Sequence, residues 1–268
     1  MKDFTFHIYE KLLTSFLQNH YEFHTLEKFH NHQITKSLNQ QIVMRHDVDR
    51  KPQNALQMAK LENKLGIRAT YYFRIVKASF DEKIIQEIAL MGHEIGYHYE
   101  NLSIAQILTK KTKPHKEELF EIAIKDFEEN LRIFRQIYPV KTICMHGRPL
   151  SKWDNRELWK KYNYHDFGVT CEPYFDFDFN EVFYVTDASR CWNNETVNRR
   201  DKVETKFEFK VESTNDLIEL LDKKELPKKM IINIHPEHWA ENNIEWFKIW
   251  IIRKLKNFIK KKVIRGKK

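Results

Sequence analysis

The sequence predicts an α/β fold: a barrel, complete or open, of about seven parallel strands. Runs of strand-forming residues alternate with amphipathic helical segments at short spacing. Strands joined by single helices form right-handed crossovers in a parallel sheet. The chain has 268 residues, of which 41% are hydrophobic, and this is enough to bury a sizeable core. We therefore expect one domain over 1–268, with an N-terminal helix in 1–40 and a basic C-terminal helix in 240–268 as extensions.

The individual elements follow from local sequence signals. A helical segment at 4–19 precedes seven strand-forming runs: 42–45, 69–75, 94–97, 141–145, 166–170, 181–186 and 230–234. After the first run, Pro52 suits a first helical turn and Gly66 suits the position just past a helix end. After the second run, Asp81 can cap a helix and Gly92 can end it. These signals predict a helix after each of the first two strands.

Polar side chains stand at the carboxyl ends of several predicted strands. The run "IVMRHDVD" ends on Asp47 and Asp49, which face the same side because residues two apart in a strand point together. A histidine follows each of the third, fourth and last runs: His98, His146 and His235. In a parallel barrel these strand ends form one rim, where active sites lie. A single histidine at a strand end is more often structural, so the prediction depends on the four placements together.

Two carboxylates beside several imidazoles suit a hydrolase that uses a divalent metal. One aspartate and neutral imidazoles can bind the ion, which lowers the pKa of a bound water. A second aspartate beside the ion can accept the proton of that water, and a separate histidine can protonate the leaving group.

The motifs resemble those of the NodB-homology polysaccharide deacetylases, carbohydrate esterase family 4. "HDVD" is similar to their first motif, "ATYYF" to the strand that follows, "GHEIGYH" to the approach to their second motif, and "INIHPEHW" to a late motif. The similarity extends over roughly residues 41–239. It implies a distorted (β/α) barrel of fewer than eight strands, and a metal-dependent enzyme, with Zn²⁺ as the expected ion, that deacetylates an amino sugar.

The resemblance also implies roles for single residues. Asp47 corresponds to the catalytic base, Asp49 and His98 correspond to metal ligands, and His235 corresponds to the general acid. "GRP" at 147–149 loosely resembles a motif whose arginine orients the catalytic base, and this implies that role for Arg148.

The sequence departs from the family pattern at two places. The position of the family's second metal-binding histidine is Leu102 here. We expect His146 to supply the third ligand, because its strand ends on the same rim, with Glu100 as the alternative. The family's fourth motif has only a faint counterpart in "DASRCW" at 187–192.

Sugar binding can be assigned to aromatic and acidic residues late in the chain, because aromatic rings stack on sugars and acids bind hydroxyl groups. The candidates are Trp153, Glu172, Tyr174, Asp187, Arg190 and Trp192. The alternating phenylalanines of "YFDFDFN" are equally typical of a half-buried strand.

The remaining features concern location and partners. The N-terminus lacks the features of a signal peptide and no apolar run approaches the ~18 residues of a membrane span, so we expect a cytoplasmic protein. Three cysteines that fit no metal or redox motif agree with a reducing compartment. The expected substrate is a nucleotide- or lipid-linked sugar of surface-polysaccharide biosynthesis. Nothing in the body of the chain resembles a nucleic-acid-binding motif.

Two alternatives stay open. The net charge of +8 is concentrated in residues 253–268, which contain nine Lys or Arg and no acid. The helix there could contact the inner face of a membrane, although packing on its own domain is the commoner arrangement. The second alternative is a catalytically inactive sugar-binding or scaffold protein on the same barrel, for which Leu102 is the main argument.

Overall fold

A parallel sheet of seven strands, wrapped by helices, forms the centre of the computed structural model. The structure describes residues 2–31, 39–109, 115–148, 151–193 and 200–265. The strands are β1 (Tyr21–His24), β2 (Gln40–Val48), β3 (Thr70–Phe73), β4 (Glu94–Tyr99), β5 (Ile143–Met145), β6 (Phe183–Thr186) and β7 (Lys229–Ile234). The α-helices are α1 (Phe6–Gln18), α2 (Leu26–Asn31), α3 (Pro52–Lys64), α4 (Glu82–Leu90), α5 (Asn101–Leu108), α6 (Lys116–Arg135), α7 (Pro173–Asp176), α8 (Thr214–Asp222) and α9 (Asn243–Arg265).

The strand order across the sheet is β5-β4-β3-β2-β7-β6, and every pair is parallel. The long strand β2 has room for two neighbours on one edge, because β1 pairs with its first half and β3 with its second half. Beyond β5, the segment at Cys171 forms a single parallel bridge with Thr142. The sheet therefore curls without closing, which confirms the predicted distorted (β/α) barrel of about seven parallel strands.

One predicted strand is wrong and one strand was missed. The strand predicted at 166–170 is instead a 3₁₀ helix at Tyr164–Phe167, which ends at Gly168 with φ at 69°. The seventh strand is β1, which lies within residues 1–40. That segment was expected to be a helical extension, but its described residues contribute α1, β1 and α2, and β1 joins the sheet.

The predicted helix boundaries after the first two strands are confirmed. Helix α3 has Pro52 in its first turn, and Gly66 follows its end with φ at 74°. In α4 the side chain of Asp81 accepts a hydrogen bond from the backbone N–H of Ile84. Gly92 follows α4 with φ at 84°, a left-handed conformation that glycine adopts without steric cost.

A polar network lies behind β2, on the face away from the two aspartates. His46 points there, as the strand periodicity predicts, and its Nε2 lies 2.7 Å from Glu62 Oε1. The Glu62 carboxylate also accepts hydrogen bonds from the hydroxyl groups of Tyr71, at 2.6 Å, and Tyr9. All four side chains are fully buried. The network thereby ties α1 and α3 to the strand that carries the candidate site.

The predicted basic C-terminal helix is present as α9. Among the helices of the described residues, none combines the length and apolar character needed to cross a bilayer.

Candidate metal centre and catalytic groups

The carboxyl ends of β2, β4, β5 and β7 bring the candidate site together. Asp49 follows β2, His98 lies near the end of β4, and His146 and His235 follow β5 and β7 directly. Because these strands run parallel, the four side chains meet on one rim of the half-open barrel. The structure therefore assembles the residues that the sequence analysis placed there.

Asp49, His98 and His146 form a three-residue cluster. Asp49 Oδ1 lies 3.6 Å from His98 Nε2 and 3.3 Å from His146 Nε2. This oxygen is buried and accepts no hydrogen bond from the described residues. The other ring nitrogens have acceptors: His98 Nδ1 lies 2.9 Å from the carbonyl oxygen of Cys144, and His146 Nδ1 lies 3.0 Å from Glu100 Oε2. Because those acceptors fix the hydrogen on Nδ1, neutral rings would turn their Nε2 lone pairs toward Asp49.

This donor set fits a divalent cation. Two imidazole nitrogens and one carboxylate oxygen are common ligands of Zn²⁺, and separations of 3.3 and 3.6 Å suit atoms that share an ion at about 2.0–2.2 Å each. Burial lowers the pKa of His146, but Asp49 and Glu100 more than offset this and raise it to about 9. Burial raises the pKa of Asp49, yet the two histidines hold it well below its usual range. In the absence of a metal, a proton on His146 thus supplies the positive charge that Asp49 requires.

Glu100, the alternative ligand, lies behind His146. Its carboxylate also accepts a hydrogen bond from Arg74 Nε at 2.9 Å. Burial raises the pKa of Glu100, but His146 and Arg74 lower it to about 2, so the group is ionised. Leu102 is fully buried among core residues. The geometry therefore makes His146 the third ligand candidate and Glu100 the group that orients it.

Asp47 lies beside the cluster, with Oδ2 3.8 Å from His98 Nε2. Arg45 donates to both carboxylate oxygens, from Nε at 2.9 Å and from Nη2 at 2.6 Å, and Asn233 donates to Oδ2 at 3.0 Å. Burial raises the pKa of Asp47, but Arg45 and His98 lower it below its usual value. Asp47 is therefore an ionised carboxylate in a fixed orientation.

The arginine that orients Asp47 is Arg45, which the sequence analysis missed. Arg148, assigned to that role by resemblance, instead has Nη1 3.8 Å from Glu100 Oε2. The signal for Arg45 was present, because it lies two residues before Asp47 and so faces the same side of β2.

His235 is held by Asp187. Asp187 Oδ1 accepts hydrogen bonds from the backbone N–H of His235 at 2.9 Å and from its Nδ1 at 2.7 Å, while Oδ2 accepts one from Trp239 Nε1 at 2.8 Å. Burial lowers the pKa of His235, but Asp187, Asp47 and Asp49 raise it to about 10. His235 is thus protonated at neutral pH, as a general acid must be. Asp187, which we expected to bind substrate, is fully buried and holds the His235 ring in place.

Three of the other candidate sugar-binding residues are buried. Trp192 is 2% exposed and donates from Nε1 to Thr214 Oγ1 at 3.2 Å. The Arg190 guanidinium lies 4.8 Å from the ring centre of Trp246 in α9. The buried carboxylate of Glu172 caps α7 by accepting a hydrogen bond from the backbone N–H of Tyr174. The structure therefore gives these residues packing and capping contacts.

Tyr174 and Trp153 remain partly exposed. The ring of Tyr174 lies 5.2 Å from the Arg45 guanidinium, and its hydroxyl donates to Asp201 Oδ1 at 3.2 Å. Trp153 packs edge-on against Phe120 at 6.0 Å. Of the six candidates, Tyr174 is the aromatic ring that contacts the groups around Asp47.

Glu237 is a further acid near the site that sequence reasoning missed. It is 6% exposed and follows His235 by two residues. Its Oε1 lies 2.8 Å from Arg253 Nη2 of α9, while Oε2 has no hydrogen-bond partner among the described residues. Burial and the charge of Asp49 raise its pKa.

Three other groupings place potential metal ligands together: Asp47–His98–Cys144, Asp187–His235–His238 and His30–Cys171–Asp176. Burial raises the pKa of Cys144 and Cys171, so both stay as thiols. The oxygens of Asp47 and Asp187 already accept hydrogen bonds from neighbouring side chains. The cluster around Asp49 is not one of these three, and what sets it apart is a buried carboxylate oxygen, Asp49 Oδ1, that accepts no hydrogen bond from the described residues.

No protein-family model and no curated protein sequence matches this chain. The structure is similar to a carbohydrate esterase family 4 esterase from Streptococcus mutans, with a TM-score of 0.45, 10% identity, and coverage of 90% of this chain and 89% of that one. It is also similar to a family 4 pseudoenzyme from Bacillus anthracis, with a TM-score of 0.41 and 12% identity. That match covers 82% of this chain, which spans 62% of the pseudoenzyme.

Proposed function

We propose that this protein is a metal-dependent hydrolase that removes an N-acyl group, with acetyl as the expected group, from an amino sugar. The observation that carries the proposal is the buried Oδ1 of Asp49, which faces two imidazole nitrogens and accepts no hydrogen bond of good geometry from the described residues. An ionised carboxylate, Asp47, and a protonated imidazole, His235, lie on the same rim. The residues that the proposal assigns as metal ligands, base and acid therefore lie on one rim.

Asp49, His98 and His146 would hold the ion, for which Zn²⁺ is the expected identity. When bound, the ion supplies Lewis acidity, which makes water more acidic and stabilises negative charge on the amide oxygen in the transition state.

Asp47 acts as the base in this proposal. Its Oδ1 accepts one hydrogen bond, from Arg45, and each carboxylate oxygen can accept about two, so Oδ1 can also accept a proton from the attacking water. Arg45 and Asn233 keep the carboxylate in place during the transfer. Because Asp47 is ionised at neutral pH, no prior deprotonation is needed.

His235 acts as the acid. Its Nδ1–H is held by Asp187, so the proton on Nε2 can be donated to the amine nitrogen as the C–N bond breaks. The negative Asp187 stabilises the imidazolium before the transfer. The leaving amine therefore departs in a protonated, stable form.

The substrate that we propose is a nucleotide- or lipid-linked amino sugar used in surface-polysaccharide biosynthesis. Tyr174, a partly exposed ring that lies 5.2 Å from the Arg45 guanidinium, is our candidate for stacking on the sugar.

Metal content and acyl hydrolysis, measured on the same samples, test the proposal. Purified full-length protein, analysed by elemental mass spectrometry, should contain about one ion per chain, and it should release acetate from an N-acetyl amino sugar. His98→Ala and His146→Ala should lose both properties. The matched control is His7→Ala, since His7 is an exposed histidine on α1 and should retain both. If reloaded protein binds no divalent ion, the proposed hydrolase is wrong.

A second candidate, a catalytically inactive sugar-binding protein, is favoured by one observation. Asp47 accepts three hydrogen bonds and its pKa is lowered, both of which weaken it as a base. This candidate predicts that metal-loaded protein binds an N-acetyl amino sugar, measured by calorimetry, and releases no acetate. Asp47→Asn should then leave sugar affinity unchanged.

A further inference from the structure

Helix α9 has two different faces. One packs on the domain: Ile249 is 7% exposed, Trp246 Nε1 donates to the carbonyl oxygen of Asp3 at 2.6 Å, and Arg253 pairs with Glu237. Residues 246, 249, 253 and 257 recur at helical spacing, so they share this inner face. These contacts hold the inner face of α9 against the domain.

The opposite face of α9 exposes large apolar side chains. Ile244, Phe247, Ile251 and Leu255 are 70%, 54%, 39% and 60% exposed. Their spacing of three and four residues places them on one stripe, which we call the outer stripe. Because the inner face of α9 packs on the domain, the outer stripe points away from the core.

Positive charge surrounds the outer stripe. Lys248 and Lys254 are exposed and flank it at helical spacing. Glu245 is the last acid in the sequence, and residues 253–268 add nine Lys or Arg. The helix thus combines an exposed apolar stripe with a strongly basic surround.

We infer that the outer stripe docks on an anionic lipid surface, with α9 lying in the plane of the interface. An apolar stripe enters the boundary between headgroups and acyl chains, while flanking lysines contact anionic headgroups. None of the described helices could span a bilayer, so the contact is peripheral.

Charge argues against the other occupants of this surface. A second copy, docked stripe to stripe, would bring two basic helices together, and like charges repel. Nucleic acid would satisfy the lysines, but phosphate contacts give no reason to expose four large apolar side chains. An anionic membrane can bury the apolar outer stripe and also bind the flanking lysines.

Docking would also orient the candidate site. Arg253 lies on α9 and pairs with Glu237, two residues after His235, so the helix and the rim are joined by a direct contact. If the proposed function holds, this placement favours a lipid-linked over a nucleotide-linked sugar.

Vesicle sedimentation of the full-length protein tests the inference. Vesicles of phosphatidylcholine alone are compared with vesicles that also contain phosphatidylglycerol. The unchanged protein should sediment with the anionic vesicles only, and added salt should release it. Lys248→Gln together with Lys254→Gln should weaken partitioning by roughly 25-fold, about fivefold for each charge.

The apolar part is tested with Ile251→Ser together with Leu255→Ser, which should abolish most vesicle binding. Leu90→Ser is the matched control, because Leu90 is 88% exposed but lies on α4, and it should bind as the unchanged protein does. Circular dichroism checks that each variant is folded.

Two results would overturn the inference. The first is that the serine variant still binds vesicles. The second is that no form binds vesicles, while light scattering shows a dimer that the serine substitutions convert to a monomer. Acetate release from a soluble N-acetyl sugar is measured in parallel. If that activity is absent while vesicle binding depends on the outer stripe, the proposed function fails and the docking surface stands.

Discussion

The pairing of Asp187 with His235 makes a quantitative prediction about the proposed acid. Asp187→Asn keeps the shape of the side chain and removes its charge. Asp187 is the main group that opposes the effect of burial on His235, whose pKa is raised from 6.5 to about 10. Without that charge, we expect the pKa of His235 to fall to its ordinary value or below.

The size of the effect follows from this shift. A fall from about 10 to 6.5 corresponds to roughly 5 kcal/mol of lost interaction with the protonated ring. At pH 8.5 the variant would then have roughly one His235 in a hundred protonated, so acyl hydrolysis should drop about a hundredfold. Near pH 6 the loss should be small, since most of His235 is still protonated.

The free energy of unfolding should depend on pH through the same pKa shift of His235. A raised pKa in the folded state stabilises the protein fully below the unfolded value of 6.5, and this stabilisation is lost as the pH rises through about 10. The unchanged protein should therefore lose free energy of unfolding between pH 6.5 and 10. Asp187→Asn should be less stable at pH 6 and should lose less over that range, where the raised pKa of His146 still contributes.

NMR titration of the His235 imidazole measures the pKa directly, and a pH–rate profile measures its consequence. Trp239→Phe is the matched control, because it removes the other side-chain hydrogen bond to Asp187 without changing its charge. The pKa of His235 in that control should stay near 10. A pKa near 10 in Asp187→Asn, or an unmoved alkaline limb of the rate profile, would refute the reasoning.

Three further predictions concern the surroundings of the site. Arg45→Met leaves the buried charge of Asp47 unpaired, so urea denaturation should show a loss of about 3–5 kcal/mol in the free energy of unfolding. Glu100→Gln removes the charged acceptor behind a metal-ligand candidate, and chelator competition should show metal affinity lower by about 10–100-fold. Gly96→Ala places a Cβ against the ring of Tyr72 in the neighbouring strand, so thermal denaturation should show a loss of about 1–3 kcal/mol.

Each of these predictions has an internal comparison. Arg148→Met should change stability by less than about 0.5 kcal/mol, because the Arg148 side chain is 37% exposed and lies 3.8 Å from Glu100 Oε2. A similar loss in both arginine variants would contradict the assignment of Arg45. Unchanged metal affinity in Glu100→Gln would show that the orientation of His146 does not depend on this contact. Gly66→Ala meets no neighbouring atom, so it separates backbone strain from the clash expected at Gly96.

The fold could be predicted where local signals were strong. Central strands β2 and β7 contain the apolar runs 42–44 and 230–232, and Asp81 and Gly92 mark the ends of α4 clearly. β1 has only four residues and alternates polar with apolar side chains, so it becomes a strand only because β2 offers a free edge. The strand predicted at 166–170 is wrong because the parallel bridge to Thr142 forms at Cys171, one residue beyond the predicted strand.

Within the site, predictability depended on whether a role follows from strand geometry. Asp47 and Asp49 share a face by strand periodicity, and the histidines follow strand ends, so their meeting could be expected. The burial of Trp192 depends on how its loop packs, and the pairing of Asp187 with His235 depends on β6 lying beside β7 in the sheet. No sequence spacing specifies those contacts, which is why aromatic and acidic residues there were assigned to sugar.

The pairing of β2 with β7 also constrains how the protein acquires its site. Gln41 pairs with Lys229, so the central strand is completed only by a contact between segments far apart in the chain, and such contacts form late because they carry the largest loop-closure cost. The ligand candidates all precede residue 147, whereas Asn233 and His235 arrive with β7. On the proposed function, the strands that carry the ion ligands are therefore separated in the chain from the strand that brings the proposed acid, so the two parts of the site depend on different pairings of β2.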